Sequence, residues 1–479
     1  MRRIAYCSPV NPVESGISDY SEELLPYLGQ YAEVSLFVDR GLTPTNPALR
    51  RHLTVHSIDQ LPALQRKQPF DAVIYHMGNS PAHGAIYEMS LQVQGVIVLH
   101  EWVLHHFKLW HAAERRKDVG AYLREMQQRY GAEGERVARK MSRGQLQDAA
   151  FRFPLVEDLI ERAQGLIGHS CFVVDQARAL RPTLPAAVVP MGVPLPLLLA
   201  RDAAREQLGL PLDAPIWASF GHINPYKRME SALRAFKKFR AEQPNARYIL
   251  VGSVSPSYDL AALIRRLALG DSVIVTGYAP RADFERYVAA ADLCLNLRWP
   301  TAGETSASLL RLLGAGRPTL VSAVGSFGEL PADVCAQVDA DWSESALILA
   351  YARLLQTQPL VVAQLGSNAR SYVAREHTLD GAAQGYIRFL SALLGWGQTP
   401  KLRDPLWQVE EPEIAAAAAL SGPASSEAVA LPAPVATTIA EVGTAAAELG
   451  LQETDDQPLR EIAATLDDLL DDSPRQRRS

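Results

Sequence analysis

The strongest constraint on the fold is an alternation of short apolar runs with amphipathic segments through the first 400 residues. The apolar runs have the length of strands and are continuous, which is typical of strands covered on both faces in a parallel sheet. We therefore predict an α/β protein. The predicted strands lie at 3–10, 33–39, 71–77, 95–101 and 165–170, and then at 216–222, 246–253, 272–278, 293–299 and 318–324.

The two sets of strands predict two domains of the same architecture, each a doubly wound, Rossmann-like parallel sheet with helices on both faces. A proline-rich segment at 188–200 separates the sets. We predict a first domain over 1–192, with a helical insertion at about 102–150, and a second domain over 193–400. The two are expected to face a cleft, at the carboxyl ends of the strands, where open α/β sheets bind ligands.

The charge of the chain changes at about residue 400. Residues 401–479 contain six Lys and Arg against fifteen Asp and Glu, and 415–447 are rich in Ala, Pro, Ser, Thr and Val. This composition predicts a largely disordered acidic tail. Near its end, Leu and Ile at helical spacing indicate either a short helix that docks on a protein partner or a frayed terminus.

The preceding residues contain one local excess of positive charge, at 115–143, with nine Lys and Arg against four Asp and Glu. We interpret this stretch as the solvated face of the helical insertion, and the alternative is a weak contact with an anionic membrane or acceptor surface. The domain as a whole is not strongly basic and contains no recognised module for nucleic acids. Nucleic-acid binding is therefore not expected.

The cysteines and the apolar segments predict a cytoplasmic protein. Cys7, Cys171, Cys294 and Cys335 lack the spacing of a metal site, so we expect buried thiols in a reducing compartment. The first apolar stretch is too short for a signal peptide. The most apolar window, 186–200, is interrupted by proline and is too short to span a membrane.

The stretch LNLRWPTAGETSASLLRLLGAGRP, at 295–318, gathers polar groups at a predicted helix start. Arg298 ends a strand, and after a Pro/Gly turn we expect a helix whose first turn is 304–308. Helix starts attract phosphate through their N–H groups and partial positive charge. We favour a phosphate site here over a merely well-capped helix. Its candidate ligands are Arg298, Thr305, Ser306 and Ser308.

A second candidate loop is FGHINPYKRMESALRAF, at 220–236. Lys227 and Arg228 stand at the start of a predicted helix, where the helix dipole disfavours cations unless an anion lies between them. A solvated pair on a surface turn is the alternative. Because this loop and Arg298 follow strands of the same sheet, the two loops together predict a diphosphate site.

Three motifs of the first half also follow predicted strands. PVESGISDYSEELLPYL, at 12–28, places Gly16 where a backbone can approach a ligand closely, with a capping-box turn at Ser18 as the alternative. YHMGNSPAH contains Asn79 and His83, and VLHEWVLHHF contains His100. We regard His100 as a candidate for catalysis because it ends a strand, although lone histidines are more often structural.

Taken in order, these motifs resemble those of GT-B glycosyltransferases, in particular the retaining family 4 enzymes. The resemblance covers about 1–395 and rests on SGISDYSEEL, GNSPAH, VLHEW, GHINPYKR, TGYAP and NLRWPTAGETSASLLRLLGAGRP. It implies transfer of a sugar from a nucleoside diphosphate sugar to a hydroxyl acceptor, such as a glycan, a lipid-linked or a small molecule, with retention. No metal or other cofactor is expected, since the cations would take the place of a metal ion on the diphosphate.

The resemblance also implies roles for individual residues. Lys227 would bind the donor diphosphate, and the turn at Thr305 and Ser306 would offer amides to its distal phosphate. His100 would lie near the reacting sugar. The implied catalytic residues are His100, Lys227, Arg298 and Glu304. The implied donor-binding residues are Gly16, His222, Lys227, Arg228, Gly277, Tyr278, Arg298, Thr305, Ser306 and Ser308, and those on the acceptor side are Asn79 and His83.

The chain departs from the family pattern at three places. His222 stands where the family often has arginine. Gly303 and Arg311 replace two glutamates, and Glu304 lies one position after the first of these. Arginine accepts no hydrogen bond from ribose hydroxyls, so another group must hold the ribose or the nucleotide is oriented differently. A subgroup with a GETS motif would make Glu304 a ligand of the sugar hydroxyls.

Three other functions remain as alternatives. An epimerase or a phosphorylase would use the same fold. A non-catalytic nucleotide-sugar-binding protein would explain the altered glutamates, with the acidic tail recruiting a partner. A nicotinamide-dependent oxidoreductase is disfavoured because no Gly-x-Gly-x-x-Gly follows the first strand.

Overall fold

The computed structural model describes residues 1–409, which form two units, each built on one parallel sheet. The predicted tail features at 415–447 and at the terminus lie outside the described residues. The first unit comprises Met1–Pro194, Pro300–Ala307 and 376–409, and the second comprises Leu195–Trp299 and Ser308–Arg375.

The first unit contains a seven-stranded parallel sheet with the order β3-β2-β1-β4-β5-β6-β7. Its strands are β1 (Arg3–Cys7), β2 (Glu33–Val38), β3 (Thr54–Ser57), β4 (Ala72–Met77), β5 (Val96–Leu99), β6 (Gly165–Gly168) and β7 (Ala186–Val188). Every residue of β4, β5 and β6 is buried, as expected for strands covered on both faces.

The second unit contains a six-stranded parallel sheet with the order β10-β9-β8-β11-β12-β13. Its strands are β8 (Ile216–Phe220), β9 (Arg247–Val251), β10 (Val273–Gly277), β11 (Leu293–Asn296), β12 (Thr319–Ser322) and β13 (Ala336–Val338). In both sheets the order of the strands reverses beside the first strand, β1 or β8, because later strands are added on its other side. This is the doubly wound arrangement. The predicted pair of Rossmann-like sheets is confirmed.

Helices connect the strands in both units. They are α1 (Gly16–Leu28), α2 (Pro47–His52), α3 (Leu61–Lys67), α4 (Gly84–Ser90), α5 (His105–Trp110), α6 (Val119–Met141), α7 (Glu157–Arg162), α8 (Cys171–Leu180), α9 (Arg201–Leu208), α10 (Met229–Glu242), α11 (Leu260–Arg266), α12 (Arg281–Ala290), α13 (Ala307–Gly314), α14 (Glu344–Thr357), α15 (Pro359–Glu376) and α16 (Leu379–Leu394). Short 3₁₀ turns at Pro81–His83 and Pro225–Lys227 follow β4 and β8, and a single π-turn spans His111–Arg115.

All ten predicted strands are present, and three further strands were not predicted. These are β3, β7 and β13, each of which lies at an edge of its sheet. Edge strands have one neighbour and are short here, so they do not require the continuous apolar run that marks a central strand. The residues of β3 are half-exposed or exposed, which explains why the polar sequence TVHS was not recognised.

The chain returns to the first unit after the second sheet, so the predicted second domain at 193–400 differs from the structure at its carboxyl end. Tyr386, on α16, accepts a hydrogen bond from Tyr20 of α1 at 3.3 Å. Further along, Leu402 N donates to Gln30 O at 2.9 Å, and Leu406 N donates to Pro26 O at 3.1 Å. Residues 376–409 therefore cover α1.

The helices α5 and α6 occupy the range predicted for the helical insertion and form their own apolar cluster. This cluster includes Tyr122, Met126, Val137 and Phe153.

Several arginines at 115–143 are paired with acids. The pairs are Arg115 with Glu88, Arg124 with Asp118, Arg129 with Glu125 and Glu161, Arg136 with Glu133, and Arg139 with Glu135. These ion pairs neutralise much of the local positive charge.

One of the four cysteine predictions was wrong. Cys7, Cys294 and Cys335 are buried thiols, but Cys171 is exposed at the first position of α8. An amphipathic helix exposes one face, and the apolar neighbours of Cys171 in the sequence hid this orientation. No single helix within residues 1–409 is long and apolar enough to cross a bilayer.

We expect Gly29→Ala to destabilise the first unit. A side-chain carbon at Gly29 would lie 2.3 Å from Leu406 Cδ1 and 2.7 Å from Leu406 Cγ. Such overpacking costs about 1–3 kcal/mol of unfolding free energy, which urea denaturation measures. The control is Gly270→Ala, where a side-chain carbon meets no atom within 4 Å. Equal losses in the two variants would contradict the packing of Leu406 on Gly29.

Candidate functional site

In the second unit, the loops after β8 and β11 meet at the carboxyl edge of the sheet. The strands pair in parallel, so both end at the same edge. Beyond the strands, Trp299 N donates to Tyr226 O at 2.8 Å, and Arg298 N donates to Ser322 Oγ at 2.9 Å. The predicted convergence of the Lys227 loop and Arg298 is therefore present within this unit.

Lys227 is the central cation of this edge. Its side chain is only 6% exposed, and Nζ donates a hydrogen bond to the backbone oxygen of Phe220. A side-chain carbon at Gly221 would lie 3.1 Å from Nζ and 3.7 Å from Ser308 Oγ. The ammonium group and the Ser308 hydroxyl thus both lie close to the half-buried backbone of Gly221. An ammonium, a hydroxyl and a helix start are the groups that bind phosphate oxygens.

His222 extends this edge on the solvent side. It is exposed, and Nδ1 forms a 3.0 Å hydrogen bond with Ser253 Oγ, which follows β9. Burial of part of the ring and the positive charge of Lys227 lower the pKa of His222. The ring is therefore mainly neutral at pH 7, and a bound anion would favour its protonated form.

Arg228 is held by an acid of its own unit. Its guanidinium lies 2.6 Å from the Glu344 carboxylate, and Glu344 is 1% exposed. Two cations at a helix start are favourable only near an anion, and for Arg228 this anion is Glu344. Arg228 thus forms an ion pair within its own unit, and its contact with the donor stays a prediction.

The other donor-binding candidates of the second unit lie at the end of β10. Gly277 is the last residue of β10 and forms a bridge with Gly252 after β9. Tyr278 follows it and is 69% exposed. Its ring is therefore accessible at the same carboxyl edge of the sheet, two strands away from β8.

The loop Pro300–Ala307 belongs to the first unit, which the sequence did not indicate. Its Ala302 oxygen accepts hydrogen bonds from Trp102 N at 2.6 Å and Val103 N at 3.3 Å. Glu304 Oε2 accepts from Ala302 N at 3.0 Å and from Thr301 Oγ1 at 3.1 Å. The Glu304 carboxylate is thus ordered by its own loop.

The predicted helix start was wrong by three residues. The helix begins at Ala307, so Glu304, Thr305 and Ser306 precede it and only Ser308 lies within it. Gly303 has φ 77°, and a side-chain carbon there would lie 2.6 Å from the Phe172 ring. A glutamate at 303 would not fit, and the carboxylate is found one residue later.

In the first unit, Gly16 is exposed as the first residue of α1, with Ser15 as its N-cap. The helix thus begins before the predicted Ser18. Asn79 connects two loops, because its backbone N–H donates to Glu101 Oε1 at 2.7 Å and its side-chain Oδ1 accepts from Phe107 N at 2.7 Å. Asn79 therefore holds the segment that follows His100 in place through these hydrogen bonds.

His83 and His100 belong to a cluster of four buried histidines that also includes His76 and His169. His76 Nδ1 and His100 Nε2 are 2.9 Å apart, and the His100 and His169 ring centroids are 4.8 Å apart. His83 Nδ1 donates to the His76 oxygen at 3.0 Å. The sequence analysis missed His76 and His169. Both lie at the ends of strands next to β5, so the strand-end rule applied to His100 would have found them.

Burial keeps these rings neutral. Desolvation lowers the pKa of His83 and of His169 to about 4 and that of His76 and His100 well below the usual value. Among residues 1–409, no group of three or more His, Cys, Asp and Glu is arranged to hold a metal ion. Neutral imidazoles suit hydrogen bonding to hydroxyl groups.

Comparisons with known proteins agree with this architecture. Residues 200–370 match the family model described as Glycosyl transferases group 1. Relatives include D-inositol 3-phosphate glycosyltransferase of Mycolicibacterium smegmatis, 28% identical over 204 residues that cover 40% of this chain and 44% of that protein. D-inositol 3-phosphate glycosyltransferase 2 of Catenulispora acidiphila is 28% identical over 280 residues, covering 55% and 62%. The chain spans about half the length of the curated relatives it matches.

Solved structures share the fold at low identity. Sucrose-phosphate synthase from Thermosynechococcus elongatus has a TM-score of 0.59 at 19% identity, covering 83% of this chain and 100% of that chain. Anabaena Alr3699/HepE in complex with UDP has a TM-score of 0.55 at 17% identity, covering 82% and 100%. The same protein in complex with UDP-glucose has a TM-score of 0.56 at 16% identity, with the same coverage.

The chain therefore has the GT-B glycosyltransferase fold, as the resemblance implied. Within it, residues 200–370 are similar to the glycosyl transferases group 1 family.

We expect stability to fall as the pH decreases from about 6.5 to about 4. In this window the unfolded chain protonates His83 and His169, whereas the folded chain keeps them neutral. For each such histidine, the unfolding free energy falls by up to about 1.4 kcal/mol for every unit by which the pH decreases. Urea titrations between pH 5 and pH 8 measure this slope.

The variant His83→Asn tests the assignment of this slope. It removes one group that binds a proton only in the unfolded chain, so its unfolding free energy should vary less steeply below pH 6.5. A wild-type stability that is flat from pH 7 to pH 5 would contradict the neutral cluster. So would an equal slope in the variant.

Proposed function

We propose that the protein transfers a sugar from a nucleoside diphosphate sugar to a hydroxyl acceptor with retention of the anomeric configuration. The observation that carries this proposal is the position of Lys227 beside the Gly221 backbone and the Ser308 hydroxyl. These groups lie in the domain that matches glycosyl transferases group 1. A diphosphate bound there accounts for a nearly buried ammonium at the open end of a parallel sheet.

These groups suit the main requirement of the reaction, which is to stabilise negative charge on the leaving diphosphate. Departure of the diphosphate builds negative charge on its oxygens as the glycosidic bond breaks. Lys227, Arg298 and the start of α13 would stabilise this charge, and preorganised electrostatic stabilisation is usually the largest catalytic contribution. Because the cations supply the positive charge, we propose a reaction without a metal ion. Activity should then persist in excess EDTA.

The first unit would contribute groups that form hydrogen bonds with hydroxyls. In the proposed role, His100 positions a sugar or acceptor hydroxyl, while the leaving phosphate assists in deprotonating the acceptor. Glu304 would accept a hydrogen bond from a sugar hydroxyl, starting from a carboxylate that its own loop already orders. Asn79 and His83 would support the acceptor side. The thiols at Cys7, Cys171, Cys294 and Cys335 fit the proposed cytoplasmic location.

The structural neighbour solved with UDP and UDP-glucose supports these as the first donors to test. The curated relatives are named for D-inositol 3-phosphate, which supports it as the first acceptor in a wider panel of polyols and glycans. A transferase releases UDP only when an acceptor is present. Release without acceptor would favour a hydrolase, and conversion of the donor without release would favour an epimerase.

The stereochemical prediction has its own measurement. The product formed from UDP-glucose should keep the α configuration at the anomeric carbon, which the one-bond and vicinal proton couplings in NMR distinguish from the β form. A β-linked product would rule out retention but not sugar transfer. Tight UDP-glucose binding with no turnover across the panel would support the non-catalytic alternative.

Lys227→Ala should weaken UDP binding by at least about tenfold, because a charge-assisted hydrogen bond contributes about 1.5–3 kcal/mol. Isothermal titration and thermal shift with UDP, GDP and ADP measure the effect. The matched control is Lys238→Ala, an exposed lysine on α10 of the same unit. The proposal fails if no nucleoside diphosphate stabilises the wild type, or if both variants bind equally well.

A further inference from the structure

The strongest unexplained feature is the hydrogen bond between two buried histidines in the first unit. His76 lies within β4, and His100 follows β5, the neighbouring parallel strand. His76 Nδ1 and His100 Nε2 are 2.9 Å apart. The outer nitrogens of the pair, His76 Nε2 and His100 Nδ1, are buried without a hydrogen-bond partner. Buried polar atoms of this kind call for an explanation.

His76 is the fixed member of the pair. Its side chain is fully buried, with the Tyr6 ring centroid at 4.4 Å and the Tyr386 ring stacked at 6.1 Å. Its backbone oxygen accepts a hydrogen bond from His83 Nδ1 at 3.0 Å. His100 is slightly less buried, at 6% exposed. Because His76 is held in place and contacts His100 Nε2, the Nδ1 atom of His100 faces away from the pair.

Each ring is neutral, so each carries one N–H and one bare nitrogen. If His76 Nδ1 donates, His100 keeps its proton on Nδ1. If His100 Nε2 donates, the unpartnered N–H is instead at His76 Nε2. These are the two tautomer pairs that one hydrogen bond between the rings allows.

The greater burial of His76 and the pattern of the neighbouring rings both favour the first arrangement. A buried N–H without an acceptor is rarer and more costly than an unused acceptor. The second arrangement places the unpartnered N–H in the fully buried ring of His76, whereas the first places it on His100. The neighbouring rings follow the first pattern, since His83 and His169 both donate through Nδ1 to backbone oxygens and leave Nε2 bare.

We propose that His76 is a positioning residue that holds His100 as the neutral tautomer with the proton on Nδ1. His100 then donates a hydrogen bond to an oxygen of the bound sugar or acceptor and does not act as a base. The identity of that oxygen rests on the proposed function. The tautomer itself does not, because the ring pair exists without a ligand.

The tautomer is measured directly on the full chain labelled with ¹⁵N-histidine. Long-range ¹H–¹⁵N correlation spectra distinguish protonated from bare ring nitrogens, and the spectrum of His100→Asn assigns the His100 signals. We expect a protonated Nδ1 and a bare Nε2 at His100 at pH 7.5. A protonated Nε2 at His100 would overturn the proposal, whatever reaction the protein catalyses.

Kinetics with UDP-glucose test the consequence for the reaction. His76→Phe keeps the ring shape but removes the donor, so kcat should fall at least about tenfold while KM for UDP-glucose stays within about threefold. His76→Asn places an amide N–H where Nδ1 stands and should retain kcat within about threefold of the wild type. The same NMR experiment should show a mixed or reversed tautomer at His100 in His76→Phe and the native one in His76→Asn.

The matched control is His105→Phe. His105 is a second buried histidine of the first unit, bonded to Phe153 O and to the Tyr122 hydroxyl. This variant should lose stability like His76→Phe but keep kcat and the His100 tautomer. An unchanged kcat in folded His76→Phe would contradict the positioning role. So would an equal loss of kcat in His105→Phe, since His76 would then contribute only packing. If no turnover is found with any acceptor, the proposed function fails and the NMR result alone decides the role of His76.

Discussion

Parallel strand pairing is the constraint on which the candidate site depends. Because β8 lies between β9 and β11 and all three run in the same direction, the segments that follow them emerge at one edge. Lys227 and Arg298 are far apart in the sequence, yet the hydrogen bond between Trp299 and Tyr226 joins their loops. The first unit repeats this arrangement with β4, β5 and β6, which bring His76, His100 and His169 together.

The two units gather different chemistry at their strand ends. The second presents an ammonium next to exposed backbone, and a neighbouring cation, Arg228, is neutralised by the buried carboxylate of Glu344. The first presents imidazoles that burial keeps neutral, with nitrogens that lack partners. A phosphate requires positive charge, whereas sugar hydroxyls require donors and acceptors of matched geometry. In the proposed reaction, the second unit would meet the first requirement and the first unit the second.

The sequence predicted the central strands and the meeting of the loops that contain Lys227 and Arg298, because continuous apolar runs mark parallel strands and such strands end at one edge. It failed where a distant partner determines the structure. The role of Arg228 depends on Glu344, more than a hundred residues later, and no local pattern indicates that pair. The start of α13 was misplaced because Thr305 and Ser306 are good capping residues by composition, while the loop is held by the backbone of Trp102 and Val103. His76 and His169 were missed for a different reason, since the strand-end rule was applied to only one histidine.

The return of residues 376–409 to the first unit affects the order in which the two units can fold during synthesis. The ribosome releases the second sheet before α16 and the segment carrying Leu406 exist, so the first unit remains without the covering of α1 until then. All strands of the second unit precede α16 in the sequence, so its sheet can form before α16 is made. We therefore expect the amino-terminal half, although it is made first, to be completed after the second sheet.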